Sequence, residues 1–426
     1  VDDRGRRSPG SRLNASPPIY DADLVVRFSD DDGFDFAIRC LLNGVPYGMA
    51  DPGELFAATA DVAPGDADNW FEALTGLGAR LEAEADARAA QGYGVSAAGD
   101  YLRAANYRYA GFWYVLGTRD PSRWANAWRA HRRCLDAALA RRPGVARVDT
   151  ELADVVVFRA PGATADRAAP VLVVQGGLGA PLSDALMTGV DDALSRGWHA
   201  VAFDGPGQGA RRVRDGRGPV RDWGAVITAV VDAALEELGD TADATRAALV
   251  GIADGAALAL QGAACDARVA AVVCDPGVLR PVDVALGQLP APVVDAWHTG
   301  RDDAVVAACR AALATDPQTA FTVAKLTEQW PGRSLTEVLH ELAAWDVTPH
   351  LDQVRVPVLV CDPEAATSFP GQSAELVAAL GSRATLAPFL TSEGAGLDCE
   401  IGAPIVRATR IADWLDDVVG HERSRG

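Results

Sequence analysis

Apolar residues recur every three or four positions from Asp21 to about Arg142, and after Arg141-Arg142-Pro143-Gly144 they gather into short, nearly unbroken runs. The first spacing places apolar side chains on one stripe of a helix. It predicts helices over 35–42, 52–59, 67–90, 97–116 and 123–140, a helical domain over about 19–144. Asp66 and Ser96 supply entry signals, because their side-chain oxygens can accept from the first free amides of a helix. Past residue 145 a hairpin is predicted over 148–152 and 154–160, followed by apolar runs at 171–177, 199–204, 247–252, 269–274 and 356–361. Such runs are strands buried on both faces, as in a parallel sheet covered by helices. Helical spacing at 181–195, 222–238 and 255–264 separates them. The fold class predicted is therefore α/β, a doubly wound and mostly parallel sheet over 145–426, with ligands expected at the carboxyl ends of the strands. The stretch between residues 274 and 356 exceeds one crossover, so a helical lid insertion is expected at about 278–350. Residues 1–18 are rich in Arg, Ser, Pro and Gly without periodicity and read as a disordered lead-in.

Composition narrows the function classes. No apolar run reaches the roughly 18 residues of a membrane span, and the first residues carry no apolar signal core, so a cytoplasmic protein is expected. Thirty-nine basic against fifty-eight acidic residues give a net charge of -19, which argues against nucleic acid and anionic membrane as partners. The seven cysteines are scattered without a Cys-x-x-Cys pair, so neither disulfides nor a metal site is expected, and no cofactor. Lys325 is the only lysine among abundant Arg and Ala, a bias that reads as high-GC codon usage. The partner expected is a small hydrophobic molecule; a homodimer is left open.

The candidate chemistry centres on Gly251-Ile252-Ala253-Asp254-Gly255, a glycine turn between an apolar strand and a helix. That is the form of a nucleophile elbow, Gly-x-nucleophile-x-Gly, in which small neighbours let strand and helix pack closely around a strained apex. The apex here is Ala253, whose methyl group cannot attack a carbonyl. Further stretches stand out: Gly65-Asp66-Ala67-Asp68-Asn69-Trp70, Tyr101-Leu102-Arg103-Ala104-Ala105-Asn106-Tyr107, Phe203-Asp204-Gly205-Pro206-Gly207-Gln208-Gly209 and Phe369-Pro370-Gly371-Gln372. On these stretches the chain, over about residues 30–418, resembles the α/β-hydrolase family. The similarity is to the branch with an N-terminal helical domain, which includes bacterial 2,6-dihydroxypseudooxynicotine hydrolase and fungal polyketide chain-shortening hydrolases.

The resemblance implies a Ser-His-acid triad, and each of its positions is altered. The serine falls on Ala253, the acid on Ala366 in the turn Asp362-Pro363-Glu364-Ala365-Ala366, and the histidine on Asp398 in Glu393-Gly394-Ala395-Gly396-Leu397-Asp398. A triad needs a hydroxyl to attack, an imidazole to take its proton and a carboxylate to orient the imidazole; all three are missing. Asp398, expected over the cleft opposite Ala253, is a candidate general acid or base, or else a carboxylate satisfied by loop amides. Asp254 is the other catalytic candidate, with its amide and one near Gly177-Leu178 as oxyanion donors. Tyr107, Tyr109 and Trp113 are candidates for the pocket wall, against a reading as core, and His298 for the lid side of the cleft. Three functions stay open: a non-hydrolytic cyclase, lyase or isomerase acting on a hydrophobic, polyketide-like natural product, a non-catalytic binding protein, and a residual hydrolase using Asp254 or Asp398.

Overall fold

The computed structural model describes residues 26–216 and 218–420; the lead-in predicted for 1–18 lies outside them. Five helices come first: α1 (Asp32–Leu42), α2 (Pro52–Thr59), α3 (Ala67–Ala90), α4 (Gly94–Phe112) and α5 (Trp124–Leu139). Their starts are written in the sequence. Asp31, Asp51 and Asp66 each accept from an otherwise free first-turn amide. Helix α4 begins at Gly94, two residues before the predicted cap Ser96, and ends at Phe112. Trp70, fully buried, joins α3 to α4 through its indole N–H, which donates to the Ala110 carbonyl at 2.9 Å.

The sheet then forms from β1 (Val145–Asp149), β2 (Asp154–Phe158), β3 (Ala169–Gln175), β4 (His199–Asp204), β5 (Ala242–Ile252), β6 (Val269–Asp275), β7 (Val358–Pro363) and β8 (Ala384–Phe389). Their order across the sheet is 1-2-4-3-5-6-7-8. Strands β1 and β2 pair antiparallel, as do β2 and β4, and every other neighbouring pair is parallel. Between the strands lie α6 (Val190–Ser195), α7 (Gly209–Asp215), α8 (Trp223–Leu238), α9 (Gly255–Cys265), α10 (Pro281–Gly287), α11 (Ala291–His298), α12 (Asp302–Leu313), α13 (Pro317–Thr327), α14 (Leu335–Ala343), α15 (Gln372–Leu380) and α16 (Pro404–Val419). Helices cover both sheet faces and leave β2, β3 and β4 wholly buried, as their unbroken apolar runs require.

Two predicted elements differ from the structure. The hairpin turns at residues 150–153, where the Thr150 hydroxyl accepts from the Ala153 and Leu152 amides, so β1 lies three residues earlier than the apolar pattern places it. The predicted helix over 181–195 divides into a 3-10 turn, Leu182–Met187, and α6, with the Leu182 amide donating to Asp204 at 2.8 Å. Between β6 and β7, helices α10 to α14 form the insertion, and the Gln372 side-chain Oε1 fixes its entry by accepting from the Leu279 and Arg280 amides. No described helix is long and apolar enough to cross a membrane.

Candidate active site

Strand β5 ends at Ile252, α9 begins at Gly255, and Ala253 stands between them with φ of 55°. A left-handed backbone at a non-glycine residue costs about 1–3 kcal/mol and persists where its surroundings impose it. Here the Ala253 amide donates to the Asp275 carbonyl at 2.8 Å and the Ala253 carbonyl accepts from Ala256 at 3.0 Å. The flanking glycines are required by contact. A Cβ on Gly255 would come within 2.6 Å of the Gly176 carbonyl oxygen, and one on Gly251 would collide with the Gly255 carbonyl. The strained elbow is thus complete, and its apex carries only a methyl group.

Facing the elbow is the loop after β3. Gln208 holds it: its side-chain N–H donates to the Gly177 carbonyl at 2.7 Å, while its amide oxygen accepts from Gly205 at 3.0 Å. The Leu178 amide, the donor expected to face a reacting oxyanion, instead donates to Asp254 Oδ1 at 3.2 Å. The amides of Asp254 and Gly255 also stabilise that carboxylate, and its oxygen takes the space a side chain at Gly177 would need. Burial pushes the Asp254 pKa up to about 6 against the pull of these three amides. The nest of N–H groups at the start of α9 therefore holds the protein's own carboxylate where an acyl-transfer enzyme would hold an oxyanion.

The loop carrying Asp398 packs on the elbow from the other side. The Cys399 thiol lies 3.4 Å from the Asp275 carbonyl, the same oxygen that receives the Ala253 amide. Cys399 and Glu400 both have positive φ, 52° and 50°. Asp398, 6% exposed, accepts from the Ser368 hydroxyl at 3.0 Å and from the Thr367 and Ser368 amides at 3.4 Å. Burial raises its pKa, and these bonds oppose the rise. Thr367 and Ser368 directly follow Ala366, whose amide closes the turn by donating to the Pro363 carbonyl. The turn after β7 and the Asp398 loop meet as an acid and a histidine would, through a hydroxyl and a carboxylate instead. Burial holds the Cys399 thiol well above its ordinary pKa, which keeps it protonated and unreactive.

Beneath the loop, the side chains of Asp275, Cys361 and Glu400 bring their ligand atoms within 4.8 Å of one another. Arg407 supplies the positive charge there: its Nε bonds Asp275 and lies 3.7 Å from Glu400. With one guanidinium between two buried carboxyls, Glu400 is pushed well above its ordinary pKa by burial and by the neighbouring Asp275. Arg407 of α16 thus ties the Asp398 loop to the end of β6, and Asp275 Oδ1 and both Glu400 carboxyl oxygens stay buried without a hydrogen-bond partner from a described donor.

Helices and the inserted segment pack around these loops. Phe36 and Cys40 of α1 pack on Leu397 and Ile401. Tyr109 of α4 stands 5.6 Å, ring to ring, from Trp113, within electrostatic reach of Asp184 and Glu328. Asp184, in the 3-10 turn after β3, was not singled out by the sequence. One of its oxygens is buried without a partner, and burial with the neighbouring Asp204 raises its pKa to about 7. Its only sequence signal is its place just past a strand end. The lid contributes Glu328, which pairs with Arg212, and Gln329, whose side-chain amide meets the backbone of Leu178 and Gly179 at 3.2 Å. Tyr107 lies elsewhere. It is fully buried among α2, α3 and α4, and its hydroxyl bonds the Asp51 backbone and Glu54. His298 is exposed as the last residue of α11. Gly177, Leu178, Ala253, Asp254 and Asp398 lie at the strand ends, while Tyr109 and Trp113 pack on each other at the end of α4, with Tyr109 also against His131.

A model described as the alpha/beta hydrolase family matches residues 171–411. The chain is 28% identical over 412 residues to Hydrolase LUC6 of a Fusarium species, with 92% of this chain and 97% of that protein covered. It is likewise 28% identical over 413 residues to 20-hydroxy-prefusarin hydrolase FUS2 of Gibberella moniliformis, covering 92% and 98%. The crystal structure of 2,6-dihydroxy-pseudo-oxynicotine hydrolase superposes with a TM-score of 0.67 at 20% identity over 90% of this chain and 97% of that one, a likeness of fold. As the family match spans more than half of the 426 residues and the strand order and elbow agree with it, the chain belongs to the alpha/beta hydrolase family.

Proposed function

We propose that this chain is a non-hydrolytic enzyme of the alpha/beta hydrolase family, a cyclase, lyase or isomerase acting on a hydrophobic, polyketide-like natural product. The observation that carries the reading is the pairing of a methyl group at the elbow apex with a carboxylate in the amide nest beside it. Acyl transfer needs a nucleophile and a vacant oxyanion site, and proton transfer needs neither. Asp254, with a pKa near 6 and partial exposure at the strand ends, is the group proposed to move the proton. The carboxyl of Asp184, in the turn after β3, is a second proton-holding group. Confinement between α1, α4 and the lid would supply the rest, since holding a flexible molecule in a reactive conformer accelerates an intramolecular step. The substrate class is drawn from the resemblance to fungal hydrolases, one of them named for 20-hydroxy-prefusarin.

The test is to disrupt the gene in its host, purify the metabolite that accumulates, and incubate it with the protein in ¹⁸O-labelled water. A product formed without ¹⁸O, either isomeric with the substrate or lighter by an eliminated molecule, is expected. Incorporation of ¹⁸O at the cleaved carbonyl would make the protein a hydrolase, and tight binding without conversion would make it a binding protein.

A further inference from the structure

Backbone amides converge on one place at the elbow from two elements: Leu178 in the loop after β3, whose N–H donates to Asp254 Oδ1 at 3.2 Å, and Asp254 and Gly255 at the start of α9. They hold a half-buried carboxylate without help from a cation, since burial and these three amides are all that acts on it among the described residues. The carboxylate oxygen alone fills the place. A Cβ on Gly177 would stand 2.2 Å from Asp254 Oδ1, and beyond Asp254 the nearest atom it would meet outside its own chain neighbours is the Ile252 carbonyl oxygen at 3.7 Å. Ala253, next to Asp254, carries only a methyl group, so an Asp254 side chain turned away would leave a seat for one oxygen atom.

Neutral donors without a cation can steady one negative charge where most water is excluded, and a second charge beside the first is repelled. A substrate oxygen can therefore become an anion on these amides only as the carboxylate gives its charge up. Protonation does this: a carboxylic acid accepts hydrogen bonds more weakly than a carboxylate, and the amides then turn to the stronger anion. When the proton comes from the carbon next to a carbonyl group, its removal itself creates that anion. The charge and its seat pass together.

We infer that Asp254 and the amide nest exchange one negative charge with the substrate, a carbonyl compound with an acidic α-hydrogen, whose enolate oxygen takes the seat of the carboxylate oxygen on the Leu178, Asp254 and Gly255 amides. The α-carbon–hydrogen bond breaks, the proton forms the O–H of Asp254, and the electron pair moves toward the carbonyl oxygen, which becomes the anion. Return of that proton from Asp254 to another carbon of the enolate completes an isomerisation with no further reactant and restores the carboxylate to its amides. This rests on the proposed reading of Asp254 as the group that moves the proton, and it adds the substrate class and the donors that stabilise the intermediate.

The experiment uses 2-tetralone as the carbonyl probe and 4-nitrophenolate as a stable stand-in for an enolate, with the wild-type chain, Asp254→Asn and Gly177→Ala, each checked for its fold by circular dichroism. Calorimetry in buffers of different ionisation enthalpy, at a pH where both the phenol and Asp254 are ionised, counts the protons taken up on binding. The wild-type chain is expected to take up about one proton per nitrophenolate bound, and Asp254→Asn to bind it with none. Gly177→Ala, whose methyl group fills the seat, should lose nitrophenolate affinity by about tenfold or more; retained affinity would overturn the nest as the seat. In deuterium oxide the wild-type chain should exchange the α-hydrogens of 2-tetralone, nitrophenolate should inhibit that exchange competitively, and Asp254→Asn should slow it by about 100-fold. Exchange that depends on Asp254, with nitrophenolate bound without proton uptake or not bound at all, would overturn the charge exchange and leave Asp254 standing as the base. Absence of both exchange and binding would overturn both.

Discussion

The Asp254 carboxylate lies 3.2 Å from the Leu178 amide, in the position where a hydrolase of this fold would stabilise an oxyanion. The triad positions are therefore only part of what separates this site from acyl transfer. Restoring Ala253→Ser, Ala366→Asp and Asp398→His together should yield no measurable cleavage of p-nitrophenyl acetate, as should the wild-type chain. Adding Asp254→Leu to the triple variant should release the Leu178 amide and raise activity by about 100-fold or more, the usual contribution of one oxyanion donor. A triple variant as active as the quadruple one would show that Asp254 does not obstruct the nest.

Asp254 also bears on turnover of the host metabolite. If its carboxylate acts as base, the rate should rise with pH through about 6, where this group loses its proton. Asp254→Asn should then lower turnover by about 100-fold while leaving ligand affinity nearly unchanged, since asparagine keeps the shape and gives up proton exchange. An unaltered rate in Asp254→Asn would place the catalysis in confinement.

Much of this was legible in the sequence because it depends on local patterns. Unbroken apolar runs mark β3 and β4 as central strands, and the glycines at 251 and 255 mark the elbow, where contact leaves no room for side chains. Strand β8 escaped notice because it is an edge strand without an unbroken apolar run: Thr385, Leu386 and Pro388 are exposed, and a proline breaks the strand signal. Tyr107 and Trp113 look alike in helical spacing, but Tyr107 inside α4 turns toward Asp51 and Glu54, whereas Trp113, just past its end, packs against Tyr109 and offers its carbonyl to Lys325 of the insertion. Long-range juxtapositions such as Asp254 with Leu178, or Glu400 with Asp275 and Arg407, follow from the topology, and no spacing along the chain announces them.

Asp398 is held by the loop more fully than a free acid or base would be. A double-mutant cycle on Ser368→Ala and Asp398→Ala should give a coupling of about 1.5–3 kcal/mol, the range for hydrogen bonds to charged groups, measured by urea unfolding. Additive effects would mean that the 3.0 Å contact contributes nothing to stability and would return Asp398 to the list of acid–base candidates.

Glu400 supplies the pH test of the layer beneath the site. Its pKa is raised in the folded chain by burial and by Asp275, so the folded state binds a proton that the unfolded state releases near the ordinary glutamate value. The stability that proton contributes is complete below about pH 4.3 and is lost as pH rises toward the folded pKa. Glu400→Gln keeps a donor for Asp275 at every pH. Its melting temperature relative to wild type should therefore increase from pH 5 to pH 8, while Glu400→Ala, which leaves Asp275 without that donor, should be less stable than wild type at pH 5. A constant difference between Glu400→Gln and wild type across that range would mean that Glu400 is ionised in the fold and that Arg407 alone balances both carboxylates.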